Sequence, residues 1–179
     1  DVMTIAKERY KVPKRKLSLI LNGVDTNYFC RTKAEYQKKK ELSIKENDLV
    51  LVCVARLVTV KNLNLLVDIA GELKKNISSF KVLLVGDGPE RENIEKHISV
   101  KKLKDYIILT GEKNNIRDYL DISDIFLLTS HSEGINVALL EAMSMSLVPI
   151  VTDVGGNSEV ISNANNGILV QDFDAKMFA

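Results

Sequence analysis

Six short runs of nearly unbroken apolar residues, at 49–55, 81–86, 107–110, 125–129, 148–152 and 168–170, constrain this chain more than any other feature. A strand that faces water on one side alternates apolar and polar residues. A strand covered on both sides does not, and continuous runs of this kind are characteristic of a parallel sheet buried between helices. The intervening stretches carry the helical period. Leu63, Leu66, Val67, Ala70 and Leu73 form one stripe, Ile94 and Ile98 mark a second helix, and Ile116, Tyr119 and Leu120 a third. Residues 137–145 are apolar nearly all round, and Val160 with Ile161 marks a last short helix before Asn165-Asn166-Gly167. Strand and helix alternating in this way predict a doubly wound parallel six-stranded α/β domain, whose ligands bind at the carboxyl ends of the strands.

The N-terminal part is less regular. Val2, Ile5, Ala6 and Tyr10 recur at helical spacing, and a turn is expected around Pro13. Residues 17–21 read as a short strand before the Asn22-Gly23 turn. Residues 31–48 are polar and lysine-rich, an exposed connection that is partly helical at most. Residues 1–16 are therefore expected to be a hinge-side helix and linker, and 17–179 a single domain. The start at Asp1 and the helical tail point to a piece of a longer protein.

Composition excludes several classes. With 25 Lys and Arg against 24 Asp and Glu, no overall bias towards nucleic acid exists. Lys14-Arg15-Lys16 and Lys38-Lys39-Lys40 read as solvated surface, with peripheral contact to an anionic membrane as a minor alternative. Cys30 and Cys53 lack metal-ligand spacing, and Cys53 falls in an apolar run, which suits a reducing, cytoplasmic setting. No apolar run approaches the roughly 18 residues of a membrane span.

The chemistry is expected at the strand ends. Around the turn at Gly134, Glu133 and Glu141 bracket a run that otherwise looks buried. A charge on a buried helix is costly unless something pairs with it. If the helix starts near Asn136, Glu141 lies about five residues in, roughly 7 Å along the axis, close to the span from a diphosphate to its ribose. The phosphates would then lie at the Gly134 turn, by the free N–H groups of the helix start, with Glu141 on the ribose hydroxyls. Arg56 and Lys61 follow the first sheet strand and supply cations at the same edge. Gly111 ends the third strand, where a glycine either lets backbone approach a flat ligand such as a nucleobase or simply turns the chain. Gly86-Asp87-Gly88-Pro89 lacks the third glycine of a dinucleotide fingerprint, so it reads as a turn with Pro89 opening a helix. His97 and His131 belong to no triad, and no cluster of metal ligands occurs.

Together, Asn22-Gly23-Val24-Asp25, Ala55-Arg56-Leu57 with Lys61, Val85-Gly86-Asp87-Gly88-Pro89, Ser132-Glu133-Gly134 through Glu141-Ala142-Met143, and Gly155-Gly156-Asn157-Ser158-Glu159 resemble, in order and spacing, the retaining glycosyltransferases of family 4. The resemblance runs from about Leu17 to the end. It implies the GT-B fold, two Rossmann-like domains around a cleft, with this chain as the C-terminal, donor-binding half. It further implies a nucleotide-diphosphate sugar as donor and a glycan or lipid-linked acceptor bound by an N-terminal domain. The expected setting is cell-surface polysaccharide assembly in the cytoplasm, with the inner face of the membrane as the alternative. By resemblance, Arg56 and Lys61 hold the diphosphate, Glu133 lies by the transferred sugar, Glu141 binds the ribose, and the amides after Gly134, at Ile135, Asn136 and Val137, face the phosphates. No cofactor or metal is implied.

Four positions depart from the family pattern. Leu21 and Asn136 stand where proline is common, and Ala55 and Asn62 where glycine is common. Ala55 is small and Asn62 tolerates unusual backbone angles, so the phosphate site is expected to survive. A non-catalytic nucleotide-binding module and a nucleotide-sugar epimerase of GT-B fold remain open alternatives. A nicotinamide dehydrogenase ranks lower because its fingerprint is incomplete.

Overall fold

The computed structural model describes residues 2–32, 35–162 and 164–179, without the side chains of residues 2–4, 35 and 36. The Val2 side chain of the N-terminal stripe, and Lys33 and Ala34 of the lysine-rich connection, lie outside the described residues.

All six apolar runs form strands: β1 Leu49–Val54, β2 Phe80–Val85, β3 Ile107–Gly111, β4 Ile125–Leu128, β5 Val148–Thr152 and β6 Ile168–Val170. They pair in parallel in the order β3-β2-β1-β4-β5-β6. The winding reverses between β1 and β4, where Leu51 faces Ile125 and Val52 faces Phe126. Loops leaving those two strands diverge above the sheet, which opens a crevice at their carboxyl ends.

The helices are α1 Val2–Glu8, α2 Glu35–Glu41, α3 Leu63–Asn76, α4 Arg91–Val100, α5 Arg117–Asp121, α6 Val137–Ser144, α7 Asn157–Val160 and α8 Ala175–Phe178, and α3 with α4 covers one face of the sheet while α5 with α6 covers the other. Side chains on a strand alternate between faces, and β1 shows it directly. Leu51 and Cys53 join one core with Leu66, Ile69, Ala70 and Leu73 of α3 and Ile94 and Ile98 of α4. Val50 and Val52 join the other with Leu120 of α5 and Leu139 and Ala142 of α6. Each fully buried Leu or Ile contributes on the order of 1.5–3 kcal/mol. The sheet is therefore a firm base for the loops at its edge. Burial also pushes the Cys53 thiol up to about 12, so it is an unreactive core residue.

Two expectations require correction. Residues 17–21 form no strand: Leu19, Ile20 and Leu21 are 67%, 87% and 60% exposed, and none of the six strands pairs with them. A short apolar run becomes a strand only when a neighbour takes up its backbone groups. The helix expected at Pro89 begins instead at Arg91. The Glu90 amide donates to the Leu57 carbonyl at 3.0 Å and the Leu57 amide to the Asp87 carbonyl at 2.9 Å, so the turn is tied to the β1 loop before α4 starts.

Candidate functional site

Beyond β1 the chain passes Ala55 and the exposed Arg56, buries Leu57, and makes a 3-10 turn at Thr59–Lys61. It enters α3 through Asn62, whose backbone is left-handed at φ 48°, ψ 47°. Asparagine is among the few side chains that adopt this region at modest cost, and this is how the departure from glycine is accommodated. The turn directs Lys61 across the crevice. Its Nζ donates to Glu133 Oε1 at 2.6 Å.

Glu133 lies on the loop after β4, with its side chain 8% exposed. Ser130 Oγ and Asn136 Nδ2 also donate to Oε1, at 2.5 and 3.3 Å. Three donors on one oxygen are strong compensation for a buried charge. Oε2 accepts no hydrogen bond from any described residue, and it is the atom available to a ligand.

The Glu133 backbone is equally constrained, because it rests on the Gly155-Gly156 turn. A Cβ on Gly155, where φ is +54°, would stand 1.8 Å from the Glu133 carbonyl oxygen. The Gly156 amide donates to that oxygen at 3.4 Å. From the other side Asn22 Nδ2 donates to the Ile135 carbonyl at 2.9 Å. The first and last of the five sequence motifs thus flank the same loop.

Asn136 caps α6, its side chain accepting from the Leu139 amide at 3.3 Å. Its φ of −76° also suits proline, but proline would lack the capping oxygen. The first-turn amides at Val137 and Ala138 have no carbonyl one turn back to bond with, and they carry the positive end of the helix dipole. Further along α6, Glu141 is half-buried and its carboxylate has no hydrogen-bond partner among the described residues. Burial raises its pKa above the ordinary glutamate value.

Arg56 makes no hydrogen bond or ion pair with the described residues. It lines a pocket of about 330 Å³ at the ends of β1 and β2, with Val54, Val85, Gly86, Glu112, Lys113 and Ile116 among the walls. Gly111, at φ +74°, bonds its carbonyl to the Gly86 amide beside that pocket. The sequence argument placed Arg56 as a bidentate grip and Lys61 as a mobile point charge at one edge, whereas the fold engages Lys61 with Glu133 and leaves Arg56 exposed. Sequence reasoning also missed Ser130. A serine ending an apolar strand carries no signal of the carboxylate that it will meet.

The two histidines stand elsewhere. His97 is held between Asn64 and Asp68 of α3, at 3.0 and 3.1 Å, and His131 packs on Phe173 with ring centroids 4.7 Å apart. Among the described residues no group of three or more His, Cys, Asp or Glu could hold a metal ion, and no helix is long and apolar enough to cross a membrane.

The sequence profile of the family described as glycosyl transferases group 1 matches residues 35–179. N-acetyl-alpha-D-glucosaminyl L-malate synthase of Bacillus anthracis is 32% identical over 160 residues, covering 89% of this chain and 41% of its own length. The UDP-Gal:alpha-D-GlcNAc-diphosphoundecaprenol alpha-1,3-galactosyltransferase of Escherichia coli is 34% identical over 177 residues, 96% of this chain and 45% of its own. Anabaena HepE, solved in complex with UDP and glucose, superposes with a TM-score of 0.81 at 22% identity, over 89% of this chain and 44% of that one. The chain spans less than half the length of each of these proteins. Family and fold agree: the chain belongs to the glycosyl transferases group 1 and has the architecture of the C-terminal domain of a GT-B glycosyltransferase.

Proposed function

We propose that this chain binds a nucleoside-diphosphate sugar, a uridine diphosphate sugar in the first instance, for transfer with retention to a glycan or lipid-linked acceptor. The observation that carries the reading is the Lys61–Glu133 pair at the reversal of winding, beside the N-terminus of α6, with an unpaired, half-buried Glu141 on the same helix. In this assignment the base enters the pocket lined by Arg56 and Ile116, with Gly111 beside it. The ribose hydroxyls donate to Glu141, and the diphosphate is held by Arg56, Lys61 and the amides from Gly134 to Val137. Two similar proteins support uridine as the base, because one is named for UDP-Gal as donor and the other was solved with UDP.

As the bond between the anomeric carbon and the diphosphate breaks, negative charge grows on the leaving group. Arg56, Lys61 and the α6 amides are positioned to take it up, so the proposed transfer needs no divalent metal. Glu133 turns Oε2 to the sugar hydroxyls and steadies the positive character at the anomeric carbon. It is not assigned as a nucleophile.

The acceptor is assigned to a further domain outside these 179 residues, with residues 1–16 as the hinge-side segment and 17–179 as the donor-binding unit. The relatives, more than twice as long, support this division. Work at the inner face of the membrane, in polysaccharide assembly, completes the proposal. Calorimetric titration with UDP, uridine and UDP-glucose tests it. UDP is expected to bind much more tightly than uridine, and no binding of either UDP or UDP-glucose would overturn the assignment.

A further inference from the structure

Two adjacent hydroxyls leave β4 entirely buried. Thr129 and Ser130 are each 0% exposed, and neither reaches the crevice. Thr129 Oγ1 lies within hydrogen-bond distance of the Lys61 and Asn62 carbonyls, at 3.0 and 3.2 Å. Its single proton serves whichever of the two is better aligned, on a loop that is already left-handed at Asn62. Ser130 Oγ donates to Glu133 Oε1 at 2.5 Å. The His131 amide then donates to the Val60 carbonyl at 2.8 Å, so three consecutive residues stitch the β4 exit to the β1 loop or to Glu133.

Ser130 is itself anchored. Thr152 Oγ1 donates to the Ser130 carbonyl at 2.8 Å, and Asn157 Nδ2 to the Thr152 carbonyl at 2.9 Å. Thr152 and Asn157 are 1% and 0% exposed. A polar chain this deeply buried is costly unless its groups are hydrogen-bonded; these bonds hold it in place, although Asn157 Oδ1 is left without a partner among the described residues. Here the geometry it fixes is that of the two charged groups facing the crevice.

We propose that Ser130 and Thr129 are positioning residues with separate charges to place. Ser130 occupies Oε1 of Glu133 and so aims Oε2 at the donor's sugar. Thr129 holds the loop that carries Lys61 to the diphosphate. The proposal rests on the reading of Glu133 as the sugar-facing residue and Lys61 as a diphosphate ligand.

The test is calorimetric titration of the chain with UDP and UDP-glucose, alongside thermal unfolding. Ser130→Ala is expected to lower the ratio of UDP-glucose to UDP affinity by about five- to tenfold while UDP affinity stays within about twofold. Thr129→Val is expected to do the converse, lowering both affinities by about five- to tenfold with the ratio unchanged. Ser130→Thr and Thr129→Ser, which keep the hydroxyl, should restore the respective values. Ser130→Ala should add nothing in a Glu133→Gln background. Equal loss of both affinities in the Ser130 and Thr129 variants, tracking a fall in Tm, would overturn the division of roles. So would an unchanged ratio in Ser130→Ala when Glu133→Gln abolishes the sugar-dependent part. If Glu133→Gln itself leaves the ratio unchanged, the failure lies in the reading of Glu133, and the proposal falls with it.

Discussion

Lys61 Nζ and Glu133 Oε1 meet at 2.6 Å across the point where the winding of the sheet reverses. The two residues leave β1 and β4, the only neighbouring strands of the described sheet whose loops diverge to opposite sides. Their side chains are 19% and 8% exposed, so the pair is shielded while still open to the crevice. If a ligand phosphate binds here as proposed, it would compete with a carboxylate for the ammonium and free Glu133 for another partner.

This pairing predicts an asymmetry in stability. Lys61→Met removes the cation and leaves a largely buried carboxylate short of a donor, a change that typically costs about 1–3 kcal/mol. Adding Glu133→Gln to it should recover a large part of that loss, because no uncompensated charge remains. Chemical denaturation of the single and double variants measures both values. A double variant less stable than Lys61→Met would contradict the pairing.

Arg56 has a different signature, since among the described residues it makes no hydrogen bond or ion pair. Arg56→Ala should leave stability within about 0.5 kcal/mol, as for an ordinary surface position. If Arg56 holds the diphosphate, UDP affinity should fall about tenfold or more while uridine affinity changes little. Comparable losses for uridine and UDP would move Arg56 from the phosphates to the base.

The glycines around Glu133 separate by their surroundings. Gly155→Ala sets a methyl group against the Glu133 carbonyl oxygen, which would stand 1.8 Å away, at a backbone angle of +54°. Strain of this kind costs on the order of 1–3 kcal/mol, and relief of it would displace Glu133. Gly134→Ala meets no atom within 4 Å and should be tolerated. Thermal unfolding of the two variants should therefore differ in the stated order.

How much of this was legible beforehand follows from the range of the interactions. The strands were readable to within a residue at either end because burial on both faces leaves an unbroken apolar run, a purely local record. Asn62 was readable as a glycine substitute because its left-handed backbone is a property of one residue. Residues 17–21 carried the same local pattern as a strand yet pair with none of the six described strands, since pairing depends on a distant neighbour. The Lys61–Glu133 contact spans 72 positions and the Ser130–Glu133 contact depends on how β4 leaves the sheet. Neither geometry is written in composition or spacing.

Glu141 supplies a prediction in pH. Burial alone disfavours its ionised form, so the folded chain keeps the proton to a higher pH than the unfolded one. The stabilisation from this carboxyl is complete below its unfolded value, about 4.3, and is lost as pH rises through the raised folded value. Glu141→Gln is neutral throughout. The variant should gain stability relative to the unmodified chain as pH rises from about 4 to 7, and Tm measured across that range checks the sign. A constant difference would mean that burial does not govern this carboxyl.

The same substitution separates the two glutamates in ligand binding. If Glu141 accepts from the ribose diol, Glu141→Gln should weaken UDP and UDP-glucose alike, because both carry the ribose. Gln keeps the size and one acceptor oxygen, so the loss should be that of a charge-assisted bond, about 1.5–3 kcal/mol or roughly tenfold and upward. Glu133 has no such contact with the nucleotide in this assignment. Glu133→Gln should therefore leave UDP affinity nearly unchanged and reduce only the part of UDP-glucose affinity that depends on the sugar. One complication is physical: Glu133→Gln also weakens the hold on Lys61, which would raise UDP affinity slightly as the ammonium is released to the phosphates. A modest gain for UDP with a loss for the sugar conjugate is thus the sharpest expected pattern. Equal loss of UDP binding in both variants, or no change in either, would refute the division of labour between Glu133 and Glu141.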